Sequence, residues 1–324
     1  MKTRRVPADG ERAKAPRVIV NEKSPEKPFI FLKSRRLNAL AAFFLTILFL
    51  YLGRVFALWG LAQCFSAWNL NAKTLAYAPV WAQNVAALSG EIADIFALFL
   101  ALATGFGLAR ALKLYPPRSE SDNLFLLRCA GIFKGKNSAA RTLLFLALGA
   151  ALSLVLIGLM LAFGSVRIPH AFGILRVETP VFLLRDALLC ACLALLSRVL
   201  ISPVFRNEPA FAAASAALQA AFSALLLGKW NLTLFLTAGM FGLVFACLYR
   251  AQSTCVPEIA FAFAFRAAAR RIFGFPNQGG VYPVSENWLT GAEAGGLEGS
   301  GALLIVLAAA LLSLLILRIR RRES

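Results

Sequence analysis

The segment "TLLFLALGAALSLVLIGLMLAFG", Thr142–Gly164, contains no charged side chain and is long enough to cross a lipid bilayer as a helix. The hydrocarbon layer is about 30 Å thick and needs roughly 20 apolar residues at helical rise. Comparable runs recur along the chain, so the dominant constraint is a solvent other than water. Hydrophobic residues make up 59% of the 324, charged residues 15%, and the mean hydropathy is +0.71. That leaves too little polar surface to coat a water-soluble domain of this size. The runs are continuous rather than alternating, which excludes a transmembrane barrel. The predicted fold class is therefore all-α: a polytopic transmembrane helical bundle with about eight spans and both termini cytoplasmic.

The predicted spans are Leu37–Leu61, Ala93–Leu112, Thr142–Gly164, Val181–Val204, Pro209–Gly228, Leu232–Tyr249, a shorter and weaker Val256–Ile272, and Ala302–Leu317. Charge gives the orientation. Residues 1–36 hold eleven Lys or Arg, residues 110–141 hold seven and the tail "RIRRRES" holds four. These fall on one side of the predicted spans together with Arg206 and Arg250, whereas Lys73, Arg167, Arg176 and Lys229 lie opposite. Such asymmetry follows the positive-inside rule. It explains the net charge of +18 without nucleic acid, and it implies a lipid bilayer with anionic headgroups as partner, each basic residue contributing about 1 kcal/mol near the surface. Trp59, Trp68, Trp81, Trp230 and Trp288 fall at or beyond the outer ends of spans, where indole rings favour the interface.

Four regions follow. Residues 1–36 form a basic arm containing Pro7, Pro16, Pro25 and Pro28. Residues 37–141 form a transmembrane pair with a basic cytoplasmic loop, residues 142–273 a helical core, and residues 274–324 an outer loop, a last span and a basic tail. "KSRRLNALAAFFL" carries an arginine pair, but charge flanking an uncleaved first anchor accounts for it. The expected location is the plasma (inner) membrane of a bacterium.

Ionisable groups inside spans are costly and normally face the bundle interior. Arg54, Glu91, Asp94, Arg185 and Asp186 lie towards the outer ends of their spans, where mutual pairing or headgroup contact is the expected role. Arg198 and Arg266 sit deeper and are the stronger functional candidates. Gln219, in the alanine-rich "FAAASAALQAAFSA", suits a bond across a close helix crossing. The six cysteines show no C-x-x-C pair, and Cys190 and Cys192 read as small buried apolar residues. His170 is the only histidine; it lacks the Cys or carboxylate neighbours of a zinc site and cannot complete a Ser-His-Asp set. No nucleotide-binding G-x-x-x-x-G-K-[ST] occurs. No cofactor or metal is expected.

From 142 to 273 a long apolar helix precedes "ISPVFRNEPAF", an Ala/Leu helix ends in "FSALLLGKWN", and "FLTAGMFGLVFACLYRAQSTCVPEI" follows, carrying Phe235, Gly239, Gly242, Leu248 and Tyr249. This order of features resembles the CPBP family of CAAX-prenyl and bacteriocin-processing intramembrane proteases, which places a glycine-bearing helix and turn at those positions. The likeness covers about 130 residues. Family members carry E-E-x-x-x-R, F-x-x-x-H and H-x-x-x-[N/D], whose glutamates and histidines activate water for peptide cleavage. Aligned on Arg206, the glutamate positions hold Ile201 and Ser202. Aligned on Phe222, the next histidine position holds Leu226. The third motif falls on Ala262, with Arg266 in place of the amide. The resemblance thus implies a family scaffold without its acid-base groups, since Ile, Leu and Ala accept no proton and Ser202 without a base is a poor nucleophile. Glu208, two residues past Arg206, is a possible displaced acid.

Three functions remain open from sequence. The first is a catalytically inactive binding or scaffold protein, with a membrane protein or prenyl/acyl-peptide partner. The second is an endopeptidase with displaced catalytic residues, which needs an essential acid among Glu91, Asp94, Asp186, Glu208 and Glu258. The third is an unrelated small-molecule or lipid permease, although no internal repeat is found.

Overall fold

The computed structural model describes residues 35–70, 74–112, 114, 138–163, 179–202, 205, 208–227, 230–252, 255–271, 300–308 and 311–312. All regular structure among these residues is helical, with no strand. The helices are α1 (Arg35–Ala67), α2 (Val80–Ala87), α3 (Ser89–Ala111), α4 (Ser138–Ala162), α5 (Thr179–Leu196), α6 (Glu208–Leu227), α7 (Leu232–Gln252), α8 (Val256–Arg271) and α9 (residues 301–308). A short 3₁₀ turn, Leu75–Tyr77, precedes α2. Most of the basic arm, the basic loop after α3, His170, Arg206, Trp288, the acidic outer loop and the tail lie outside the described residues, as do the side chains of Glu208, Leu248 and Tyr249.

Five helical stretches are long and apolar enough to cross a membrane: Leu37–Ala67, Ser89–Ala111, Ala139–Ala162, Thr179–Ile201 and Pro209–Leu226. They match the first five predicted spans, and the chain is a multi-pass, membrane-embedded helical protein. Leu232–Cys247 is a shorter apolar helix. The α8 helix forms where the seventh span is predicted, but at 16 residues it falls short of a crossing length.

Local chemistry sets the helix ends. Proline stands just before or within the first turn of α2 (Pro79), α5 (Pro180), α6 (Pro209) and α8 (Pro257). There its missing N–H costs no hydrogen bond and its fixed φ suits the helix. The α1 helix stops where Asn69 takes a left-handed conformation, φ 53°. The Leu70 N–H then donates back to the Phe65 carbonyl at 2.8 Å, satisfying a terminal carbonyl.

Two boundaries differ from the sequence reading. The α1 helix runs six residues beyond Leu61, to Ala67. Its 31-residue apolar stretch is about 46 Å long, well over the hydrocarbon thickness. Arg54 consequently lies in mid-helix rather than near its end. The α3 helix begins at Ser89, which puts Glu91 in its first turn, where a negative side chain complements the helix dipole.

Packing is pairwise around one central helix. The α1 helix lies against α3, α6 against α7, and α4 against α8, while α5 touches both α3 and α8. Close approach depends on small residues. Gly242 of α7 faces the α6 backbone, where a Cβ would come within 2.6 Å of Ala216 Cα and 2.8 Å of the Ser215 carbonyl. Gly149 of α4 meets the α8 backbone at Phe261 and Phe265. One step along, the Ser153 hydroxyl donates across that crossing to the Phe265 carbonyl at 3.0 Å. Two apolar cores result: one built around Leu98, Leu196, Leu200, Leu218 and Phe222, the other around Met160, Phe241, Phe245 and Phe265.

Candidate functional site

Buried charges gather at two levels along α5. At the first, Arg185 donates from Nε to Asp94 Oδ2 at 2.7 Å, and its Nη2 lies 2.6 Å from the same oxygen. Arg54 Nε approaches Asp94 Oδ1 at 2.9 Å as an ion contact without hydrogen-bond alignment. Arg54 Nη1 donates to the Leu225 carbonyl of α6 at 2.8 Å. Asp186 sits beside the cluster, 4.0 Å from Arg185. Two guanidinium groups and two carboxylates thus tie α1, α3, α5 and α6 together, the mutual pairing that the sequence suggests. With its carboxylate oxygens engaged by two arginines, Asp94 is a structural anchor.

The second level lies where α5 loosens. Ser197–Ile201 form a π turn, closed by the Ser202 N–H donating to the Ser197 carbonyl five residues back at 3.1 Å. Such one-residue expansions re-aim a side chain out of the regular helical order and recur at functional sites. Arg198 lies in this turn and is 1% exposed. Its Nη2 donates to Glu258 Oε2 of α8 at 3.1 Å, and Glu258 is itself buried. A charge pair this deep survives only because each ion compensates the other's lost hydration.

A cavity of about 10 Å³ adjoins the pair, with room for roughly one water. It is lined by Ser197 and Arg198 of α5, Phe211, Ser215 and Gln219 at successive turns of α6, and Glu258 of α8, with Gly242 and Phe245 of α7 closing it. A second small cavity is also lined by Glu258, together with Cys190, Ala262 and Arg266. Glu258, Ala262 and Arg266 follow one another at four-residue spacing on one face of α8.

The positions singled out by the family resemblance distribute as follows. Ile201, Phe222 and Leu226 come together, all buried, in the apolar core around α5 and α6. Ser202 is partly buried at the end of the π turn. Ala262 belongs to the other apolar core, and Arg266, 3% exposed, stands one turn beyond it. Arg206 and the Glu208 side chain lie outside the described residues, but the "VFRNEP" segment does join two helices, the π turn ending at Ile201 and α6 starting at Glu208. The polar centre is built instead from Arg198 and Glu258 with Ser215 and Gln219. Sequence reasoning had Arg198 as a candidate and Glu258 only as one acid among five. The missed signal was the four-residue spacing of Ser215 and Gln219 on α6 and the eight-residue, two-turn spacing of Glu258 and Arg266 on α8.

Among the described residues, no group of three or more His, Cys, Asp or Glu could hold a metal ion. Cys190, Cys192 and Cys255 are buried. No protein-family model, curated protein or solved structure matches the chain.

Proposed function

We propose that this protein is a multi-pass inner-membrane protein on a CPBP-like scaffold that lacks the family's acid-base chemistry and acts by binding a membrane partner. The observation carrying this reading is the apolar filling of the motif positions. Ile201 and Leu226, where the resemblance calls for a glutamate and a histidine, are each 2% exposed and packed in one hydrocarbon core with Phe222. Side chains of that kind can neither take a proton from water nor stabilise an oxyanion. The proposed orientation has both termini cytoplasmic and the basic segments against anionic headgroups. The internal cavities are about water-sized, so a prenyl or acyl-peptide partner would dock on the lipid-facing surface or between helices that part.

One observation favours the alternative of an endopeptidase with displaced residues: the carboxylate of Glu258 borders a cavity beside a guanidinium. Cleavage of membrane-anchored test peptides separates the two readings, comparing wild type with Arg206→Ala, Glu208→Gln and Glu258→Gln at equal membrane levels. The expected result is no cleavage by any of them. Wild-type cleavage abolished by Glu208→Gln or Glu258→Gln would overturn the binding-protein reading and name the catalytic acid.

A further inference from the structure

The Arg198–Glu258 pair has a polar neighbour that the described residues do not satisfy. Ser215 is 4% exposed, and its Oγ has no hydrogen-bond partner among the described residues. A buried hydroxyl left unpaired costs about 1–3 kcal/mol, so native structures almost always supply a partner, from protein or from ordered water. Ser215 lines the cavity beside the pair, and the volume there, about 10 Å³, is at the threshold for one water molecule. The other requirement is two to four polar contacts. Ser197, Arg198, Gln219 and Glu258 line the same space.

We infer that this cavity is a water-binding site built into the bundle, in which one water accepts from the Ser215 hydroxyl and donates to the Glu258 carboxylate, with Gln219 as a further partner. Three helices contribute: α5 through Ser197 and Arg198, α6 through Ser215 and Gln219, and α8 through Glu258. The water completes the hydrogen bonding of the carboxylate, which Arg198 engages through Oε2. A hydrated pair is less costly to bury than a dry one, because part of the lost solvation of each ion is restored. The site also gives the buried Ser215 and Gln219 of α6 a shared polar partner. Placed one turn apart, the two reach the same cavity. The inference holds whether the protein binds, scaffolds or cleaves.

Radiolytic hydroxyl-radical labelling tests it directly. X-ray pulses generate radicals from water in place, so a buried ring is oxidised only if a water molecule is beside it. Phe211 and Phe222 provide an internal comparison: both lie on α6, and they are 2% and 0% exposed, but only Phe211 lines the cavity. In the full-length protein in lipid nanodiscs, Phe211 should label several-fold faster than Phe222. Ser215→Val, which fills the space and removes the hydroxyl, should bring Phe211 down to the Phe222 rate. Equal rates for the two rings in the wild type would show a dry cavity and overturn the proposal. Fast Phe211 labelling that persists in Ser215→Val would also overturn it, because the water would then not depend on Ser215. The wild-type comparison needs no variant, so it stands even if Ser215→Val fails to fold.

Discussion

Replacing Arg198 with methionine while leaving Glu258 in place should be among the most destabilising single changes in the bundle. The side chains are 1% and 7% exposed and meet at 3.1 Å. Removing one member leaves a carboxylate with its solvation stripped and its counter-charge gone, a situation that costs about 3–5 kcal/mol. At about 1.4 kcal/mol per factor of ten, even the lower figure shifts the folded-to-unfolded ratio by more than a hundredfold. Glu258→Gln should cost somewhat less, because the amide keeps the shape and can still accept from Arg198 Nη2. The double variant Arg198→Met/Glu258→Leu removes both ions, and buried pairs replaced by apolar groups of similar size are often neutral or more stable by about 1–4 kcal/mol. The double variant should therefore lie well above the sum of the singles. The assay is reversible unfolding in mixed micelles by SDS titration, followed by intrinsic tryptophan fluorescence, with all four proteins treated as a double-mutant cycle. If both single variants fall within about 0.5 kcal/mol of wild type, the pair is not buried as described. The reasoning about α5 and α8 would then fail.

Three further outcomes follow from the packing. Asp94→Asn deprives Arg185 and Arg54 of a shared carboxylate and should cost about 3–5 kcal/mol in the same titration; Arg54→Met should cost less, since Arg54 is 25% exposed. Gly242→Ala forces a methyl group onto the α6 backbone at Ala216 and should destabilise by about 1–3 kcal/mol, whereas Gly158→Ala, with open space around it, should be close to neutral. Ser153→Ala removes the hydroxyl bond to the Phe265 carbonyl and should cost about 1 kcal/mol, measured as a lower unfolding midpoint with unchanged slope.

How much of this was legible in sequence depends on the range of the interaction. Span existence is local: hydropathy over 20 residues gives the five long apolar helices directly, and the prolines at positions 79, 180, 209 and 257 mark helix starts. Span ends were less legible, because apolar residues such as Leu61 and Phe65 continue past the hydrocarbon thickness and the chain stays helical until Asn69 turns left-handed. The pairing of Asp94 with Arg185 was foreseeable in kind, since isolated charges near the same membrane depth seek each other. The partnership of Arg198 with Glu258 was not. Sixty positions separate them. Arg198 itself lies in a π turn, which hydrophobic periodicity does not encode.

Two arginines on one helix thus select its neighbours. In lipid there is little hydrophobic force between helices, because the tails are as apolar as leucine. Shape alone leaves many near-equivalent dockings for a helix of Leu, Ala and Cys like α5. Arg185 and Arg198 lie thirteen residues apart, about 20 Å along the axis, and their carboxylate partners stand on different helices, Asp94 on α3 and Glu258 on α8. A rotated or shifted α5 would leave at least one guanidinium unpaired in hydrocarbon, which excludes the wrong register more strongly than packing could. Ion pairs used this way specify more than they stabilise. The Arg198→Met/Glu258→Leu variant should accordingly retain or gain stability while losing definition at the α5–α8 contact. Cysteines placed at Ala194 and Ala262, which face the same small cavity, would read this out: crosslinking confined to that pair in the wild type should spread to neighbouring α8 positions in the double variant. Unchanged crosslinking specificity would mean that the apolar contacts alone define the register and that the buried charges serve only the polar site between α5, α6 and α8.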